Sequence, residues 1–353
     1  MHRHRIVVLI ALTIAVPLLG VPAATATVAY QSSSNSRLMI ASDHATGATW
    51  LGVPGNSPLI SPDGTRVAYI GGTSSHPRLH IRTIATGAEV VVAAAPGTSV
   101  GMGSQWAPDS AHLAMPTESA TAAGYITGAG LDIIDAVTGG VTVVFAPKAH
   151  DVAGWSWAPS SDRLVYASRR YGANFGHGVM RIVGLDGVRI ATLGTGENPL
   201  WGPRRIAFQR FTTVRWQGST VQHAQLWTAN PASPGVNHQL THYPSAGLIY
   251  GPYAVLWSPD GTVLYGGIGG EDVSMPGRIS ARTGHVKRLR DGRGKKLNDA
   301  SIVALSADGR RLLLDTGEIG GSPVYRTMPA GNGAVRVFLR HAYGLTVQSS
   351  WQP

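Results

Sequence analysis

The feature that most constrains this chain is a short turn that recurs along its length. Trp257-Ser258-Pro259-Asp260-Gly261 reads as a strand ending in an aromatic residue and running into a tight turn, with a second, apolar strand following through Tyr265. Ile60-Ser61-Pro62-Asp63-Gly64, Trp106-Ala107-Pro108-Asp109, Trp157-Ala158-Pro159, Trp201-Gly202-Pro203 and Leu305-Ser306-Ala307-Asp308-Gly309 repeat it, and the last three residues are Trp351-Gln352-Pro353. The third residue of each copy falls at 62, 108, 159, 203, 259, 307 and 353, with spacings of 46, 51, 44, 56, 48 and 46. A period in the forties with several short strands per unit points to a β-propeller, one four-stranded blade per repeat.

A second hairpin turn recurs between these copies, at Ala45-Thr46-Gly47, Ala85-Thr86-Gly87, Val137-Thr138-Gly139, Leu185-Asp186-Gly187 and Arg282-Thr283-Gly284 among others. Each unit therefore reads as four strands, A to D, with the Pro-Asp-Gly turn between A and B and the Gly turn between C and D. The two ends complete the pattern. Val28-Ala29-Tyr30 repeats Val67-Ala68-Tyr69 as a strand B, residues 37–42 and 48–52 supply C and D, and residues 346–351 supply only an A. The expected fold is all-β: a seven-bladed propeller of four-stranded antiparallel blades, the seventh built from both termini. Such closure removes the unpaired edges that an open ring would leave.

This pattern resembles the TolB-type propellers, also described as WD40-like or PD40 repeats, over nearly all of the chain after residue 26. The resemblance implies the fold. It implies function loosely, because the same propeller serves as a partner-binding platform, as a substrate gate on serine peptidases and in some lyases as the enzyme itself.

Residues 1–26 read as a signal peptide. His2-Arg3-His4-Arg5 is the basic start, residues 6–20 are the apolar run, and Ala24-Thr25-Ala26 is the cleavage site. The run is shorter than the roughly 20 residues that span a bilayer, so the expectation is an exported protein with one propeller domain over 27–353 and no membrane span after cleavage. Charged residues make up 14% of the chain, well below the usual quarter, as expected when most strands are buried on both faces.

The motif aromatics Trp106, Trp157, Trp201, Trp257 and Trp351 are expected to pack between blades. Asp63, Asp109, Asp260 and Asp308 are expected to accept backbone N–H groups in their own turns. Gly97-Thr98-Ser99-Val100-Gly101 has the spelling of a nucleophile elbow but lies between two strands, where that motif requires a strand-to-helix turn. His76 with His80, and His238 with His242, are four residues apart. On a strand that is about 13 Å, too far to share a metal. Asp132 and Asp135 point to opposite faces of a strand. Neither a metal nor a cofactor is expected.

The short A–B and C–D turns fall on one face of the disc, and the longer D–A and B–C connections on the other. Binding is expected on the second face, around the channel mouth, from His150, Asp151, Arg169, Arg170, Tyr171, Glu197, Arg210, Glu271, Asp272, Asp299, Glu318, His341 and Tyr343. Charge is uneven. Residues 27–274 hold fourteen basic and fourteen acidic residues, and residues 275–353 hold thirteen and five. Lys287, Arg288, Arg290, Arg293, Lys295 and Lys296 form a basic patch suited to an anionic surface. It has no interleaved aromatics, which argues against nucleic acid. The expected function is a non-enzymatic scaffold for a protein or anionic envelope partner. The alternative is a lyase or hydrolase acting on a glycan at the channel mouth.

Overall fold

The termini meet in one blade. Strand A of blade 7, Ala342–Val347, pairs antiparallel with Val28–Ser32, which pairs with Leu38–Ala41 and then with Thr49–Trp50. The structure is a computed structural model. It describes residues 27–353 except 74–75, 95–97, 102, 121–125, 148–149, 174–175, 217, 245–248, 271–273, 318–323, 349–350 and 352–353. The signal-peptide reading therefore lies outside the described residues. Six further antiparallel sheets follow in chain order, their A strands at Asn56–Ile60, Thr98–Val100 with Gln105–Trp106, His150–Trp157, Glu197–Trp201, Ile249–Trp257 and Ser301–Leu305. Blade 2 alone has a broken strand A, in two short pieces that both pair with His112–Ala120.

Seven apolar clusters fill the seven seams between neighbouring blades, each drawing residues from two adjacent sheets. Strands B alternate between two seams: Val67 and Tyr69 pack toward blade 7, and Ala68 packs toward blade 2. Each fully buried Leu or Ile there is worth about 1.5–3 kcal/mol of burial. This two-sided burial accounts for the low charge content.

The turn motif works as a small hydrogen-bonded unit. Ser258 Oγ donates to Asp260 at 2.6 Å and accepts the Val263 N–H at 2.9 Å, while Asp260 also accepts the Thr262 N–H. Ser61–Asp63 and Ser306–Asp308 repeat it. Hydrogen bonds from Ser258 and Thr262 hold the Asp260 carboxyl down to about 2. Where Ser110 and Ser161 replace the turn glycine, they keep its left-handed backbone (φ 60° and 63°) and bond across a seam. Their hydroxyls accept the N–H of Asp63 and Asp109 in the preceding blade, at 3.0 and 2.9 Å.

The tryptophans link strands A around the ring. The indole N–H groups of Trp106, Trp157 and Trp257 donate to the carbonyls of Leu59, Gln105 and Leu200 in the strand A before them, at 2.9, 3.1 and 3.0 Å. Trp351 does not belong to this series. The residue paired with Val28, as Ile60 pairs with Val67 and Trp257 with Leu264, is Val347. The closing strand therefore starts four residues earlier than the sequence repeat indicates. Trp351 lies beyond it, fully buried, edge-on to Phe338 of blade 6 and bonded through its indole to Asp43 O of blade 7.

Candidate functional site

Two polar seams show how differently this ring uses charge. The first lies between blades 3 and 4. Strand His150–Trp157 runs against Arg163–Arg170, setting His150 opposite Arg170 and Asp151 opposite Arg169. The Arg169 guanidinium reaches Glu197 Oε2 at 3.0 Å and approaches Asp151 at 3.9 Å. Glu197 begins strand A of blade 4 and is only 1% exposed, with Oε1 accepting the N–H groups of Gly176 and Gly178. Glu197 is thus a buried structural carboxylate, not a surface contact, and Arg169 and Asp151 serve it.

Arg210 is also withdrawn. It sits in strand Ile206–Trp216, 4.2 Å over the Trp227 ring, with Nε donating to Thr195 O at 2.9 Å. Burial lowers its pKa. His150, Arg170 and Tyr171 are exposed together in blade 3, while Asp299, His341 and Tyr343 are exposed at the entries to blades 6 and 7. The Tyr171 hydroxyl donates to Ile126 O in blade 2. Glu271, Asp272 and Glu318 lie outside the described residues. Among the described residues, no three His, Asp or Glu side chains come together as a ligand set.

Sequence reasoning missed a polar cluster at the seam between blades 7 and 1. Tyr69 and His80 are cross-strand partners stacked at 5.0 Å, and Glu89 takes the Tyr69 hydroxyl on one oxygen and His80 Nδ1, at 3.1 Å, on the other. Burial alone would raise the Glu89 pKa, but bonds from Tyr69 and His80 bring it below the usual value. Burial and Glu89 together push Tyr69 up. Three residues from strands B, C and D reveal this only once the register is known.

The second polar seam lies between blades 5 and 6. Lys287 and Arg288 end the outer strand Val286–Arg288, so the basic patch begins on a strand and only then enters the D–A connection. That connection is pinned. Arg290 pairs with Lys296 in a small hairpin, the Asp291 carboxylate accepts the N–H groups of Arg293 and Lys295 at 2.9 Å, and Arg290 bonds to Asn332 and Gly333 of the next blade. Arg290, Arg293, Lys295 and Lys296 are exposed, Arg290 donating back to Gly294 O at 2.7 Å within the hairpin, while Arg288 turns back to Leu297 O. Beneath the hairpin lies a cavity of about 640 Å³ lined by Asp291, Leu297, Asn298, Asp299, Thr316 and Arg326, among others. A smaller space, about 380 Å³, opens at the A–B end of the channel and is walled by Trp106, Trp157, Trp201 and Trp257, of which Trp201 and Trp257 are only half-buried.

No family model matches this chain, and no curated protein matches it. Solved structures do. TolB from Acinetobacter baumannii is 15% identical over 91% of this chain and 66% of its own, with a TM-score of 0.52. An oligogalacturonate lyase in complex with manganese is 15% identical over 90% and 86%, at 0.57. A putative dipeptidyl aminopeptidase IV from Bacteroides ovatus is 13% identical over 87% and 49%, at 0.53. This chain spans just under two thirds of that TolB chain and about half of the peptidase. The likeness is one of fold, that of a β-propeller.

Proposed function

We propose that the protein is an exported, non-enzymatic scaffold that holds a protein or an anionic envelope component on its D–A and B–C side. The carrying observation is the pinned hairpin of residues 290–296, which fixes four exposed basic side chains beside a face whose carboxylates at the blade 3–4 seam are already engaged. The apolar leader at residues 6–20 supports export, and the TolB-like fold is consistent with a binding platform. Attraction to an anionic surface is worth on the order of 1 kcal/mol per basic residue at low salt and is screened over about 8 Å at physiological ionic strength. Binding of the mature protein to isolated cell envelope is therefore expected to fall as salt is raised. It is also expected to drop in Arg293→Gln/Lys295→Gln/Lys296→Gln with the melting temperature unchanged. No envelope binding by the wild type at low salt overturns the reading.

The fold shared with a polysaccharide lyase supports a second reading, a glycan-acting enzyme at the channel mouth. Turnover in a screen of acidic polysaccharides, lost on His150→Ala, would replace the scaffold by that enzyme.

A further inference from the structure

The cavity at the blade 5–6 seam contains two opposite charges that do not meet. Arg326, half-buried on strand Val324–Pro329, donates to Thr316 Oγ1 and forms no ion pair among the described residues. Asp299 lines the same cavity, and its carboxylate accepts no hydrogen bond among the described residues. Asp299 is also held at φ 52°, a left-handed backbone that non-glycine residues adopt rarely. Its N–H is fixed to Ser274 O at 2.8 Å. Asp291, the other carboxylate in the wall, is already occupied by two backbone N–H groups. Leu297 and Val335, partly exposed, supply the apolar part of the wall, with Leu314 and Ala300 buried behind them.

We propose that this cavity is a binding site for a zwitterionic ligand, an α-amino acid or short peptide with an apolar side chain. Arg326 would take the carboxylate in a two-pronged, charge-assisted contact. Asp299 would take the ammonium group, and the Leu297–Val335 wall the side chain. A volume of about 640 Å³ lies in the range of small-molecule sites and leaves room for more than one residue. A phosphate or other polyanion would meet two carboxylates in the wall. The inference does not depend on the scaffold reading, because its probe is small and its site lies beneath the basic hairpin.

The test is titration calorimetry on the mature protein at low and physiological salt. The probes are leucine, leucyl-leucine, N-acetyl-leucine, leucinamide and inorganic phosphate. Saturable binding of leucine or leucyl-leucine is expected, with at least about tenfold weaker binding of the acetylated and amidated forms, each of which lacks one charge. Tighter binding of leucyl-leucine than of leucine identifies the peptide as the ligand, and the reverse order the free amino acid. Arg326→Lys is expected to weaken either ligand about tenfold, because the forked contact is lost while the charge remains. Asp299→Asn is also expected to weaken binding about tenfold. Asn tolerates the same backbone, so this variant should keep the wild-type melting temperature. The proposal is overturned by no leucine or dipeptide binding at millimolar concentration, by equal affinity for N-acetyl-leucine, by preference for phosphate, or by Asp299→Asn binding as well as wild type.

Discussion

The seams between blades 3 and 4 and between blades 5 and 6 both bring an arginine toward a carboxylate, and they resolve it in opposite ways. At the first, Arg169 contacts Glu197 at 3.0 Å and Glu197 is 1% exposed. At the second, Arg326 and Asp299 line one open cavity and neither has an ion-pair partner among the described residues. A buried charge is tolerated only with a partner and further hydrogen bonds, and at the first seam both oxygens of Glu197 are engaged. The second keeps its valences where water, or a ligand, can reach them. The repeat that builds both seams does not decide between structure and binding. The two seams differ in the D–A connection, a single residue, Gly196, at the first and residues 289–300 at the second.

The largest effect should come from breaking the closed seam. Glu197→Ala takes from buried Arg169 its 3.0 Å carboxylate contact and removes the acceptor of the Gly176 and Gly178 N–H groups. A loss of about 3–5 kcal/mol is expected, read as a lower denaturant midpoint with an unchanged slope. Glu197→Gln, which keeps an oxygen for the two N–H groups, should cost less. If Glu197→Ala unfolds like wild type, the blade 3–4 seam is no more closed than its neighbour and the contrast fails.

The seam between blades 1 and 2 sharpens the rule, because it holds a buried carboxylate with no cation paired to it among the described residues. Asp132 is 3% exposed, and burial raises its pKa from 3.8 to about 6. The unfolded chain ionises near 3.8 and the folded chain only near 6, so the folded state binds more protons between those values. This contribution is fully present below about pH 4 and is lost as pH rises to about 6. Its full size is at most about 3 kcal/mol. Asp132→Asn removes the ionisation. The variant should be more stable than wild type at pH 8, and the advantage should shrink steadily between pH 6 and 4. A pH-independent difference would mean that Asp132 is solvated in the folded state.

The ring itself was legible because turn chemistry repeats at a fixed period. Pro-Asp-Gly and Thr-Gly turns mark each hairpin locally, and the count of A strands against B, C and D strands exposed the shared blade. The closing strand was misplaced by four residues because Trp351 spells the motif, while the residue in the motif position is Val347. Burial of an indole at a seam satisfies either register, and only strand pairing distinguishes them. The site was less legible. Whether Glu197 faces solvent depends on a bulge in strand A that shifts pairing between Glu197 and Leu200. Five other A strands carry a similar irregularity, at sequences as different as Asn56 to Leu59 and Ala254 to Leu256. Bulges re-aim side chains, and nothing in residue type alone announces these. Arg326 had no distinguishing mark either, being one of thirteen basic residues in the last 79.

The smallest expected effect tests the open seam directly. Arg326→Gln removes a guanidinium whose only hydrogen bond among the described residues is to Thr316. Thr316 Oγ1 keeps its own bond to Val324 O at 2.8 Å, so no polar atom is left stranded by the change. The cost in stability should stay within about 0.5 kcal/mol, as for changes away from packed or paired positions. That is several-fold below the loss expected for Glu197→Ala. Chemical denaturation of the two variants side by side reads the ratio. If Arg326→Gln destabilises as much as Glu197→Ala, Arg326 holds blades 5 and 6 together, and its freedom for a ligand is lost with the distinction between the seams.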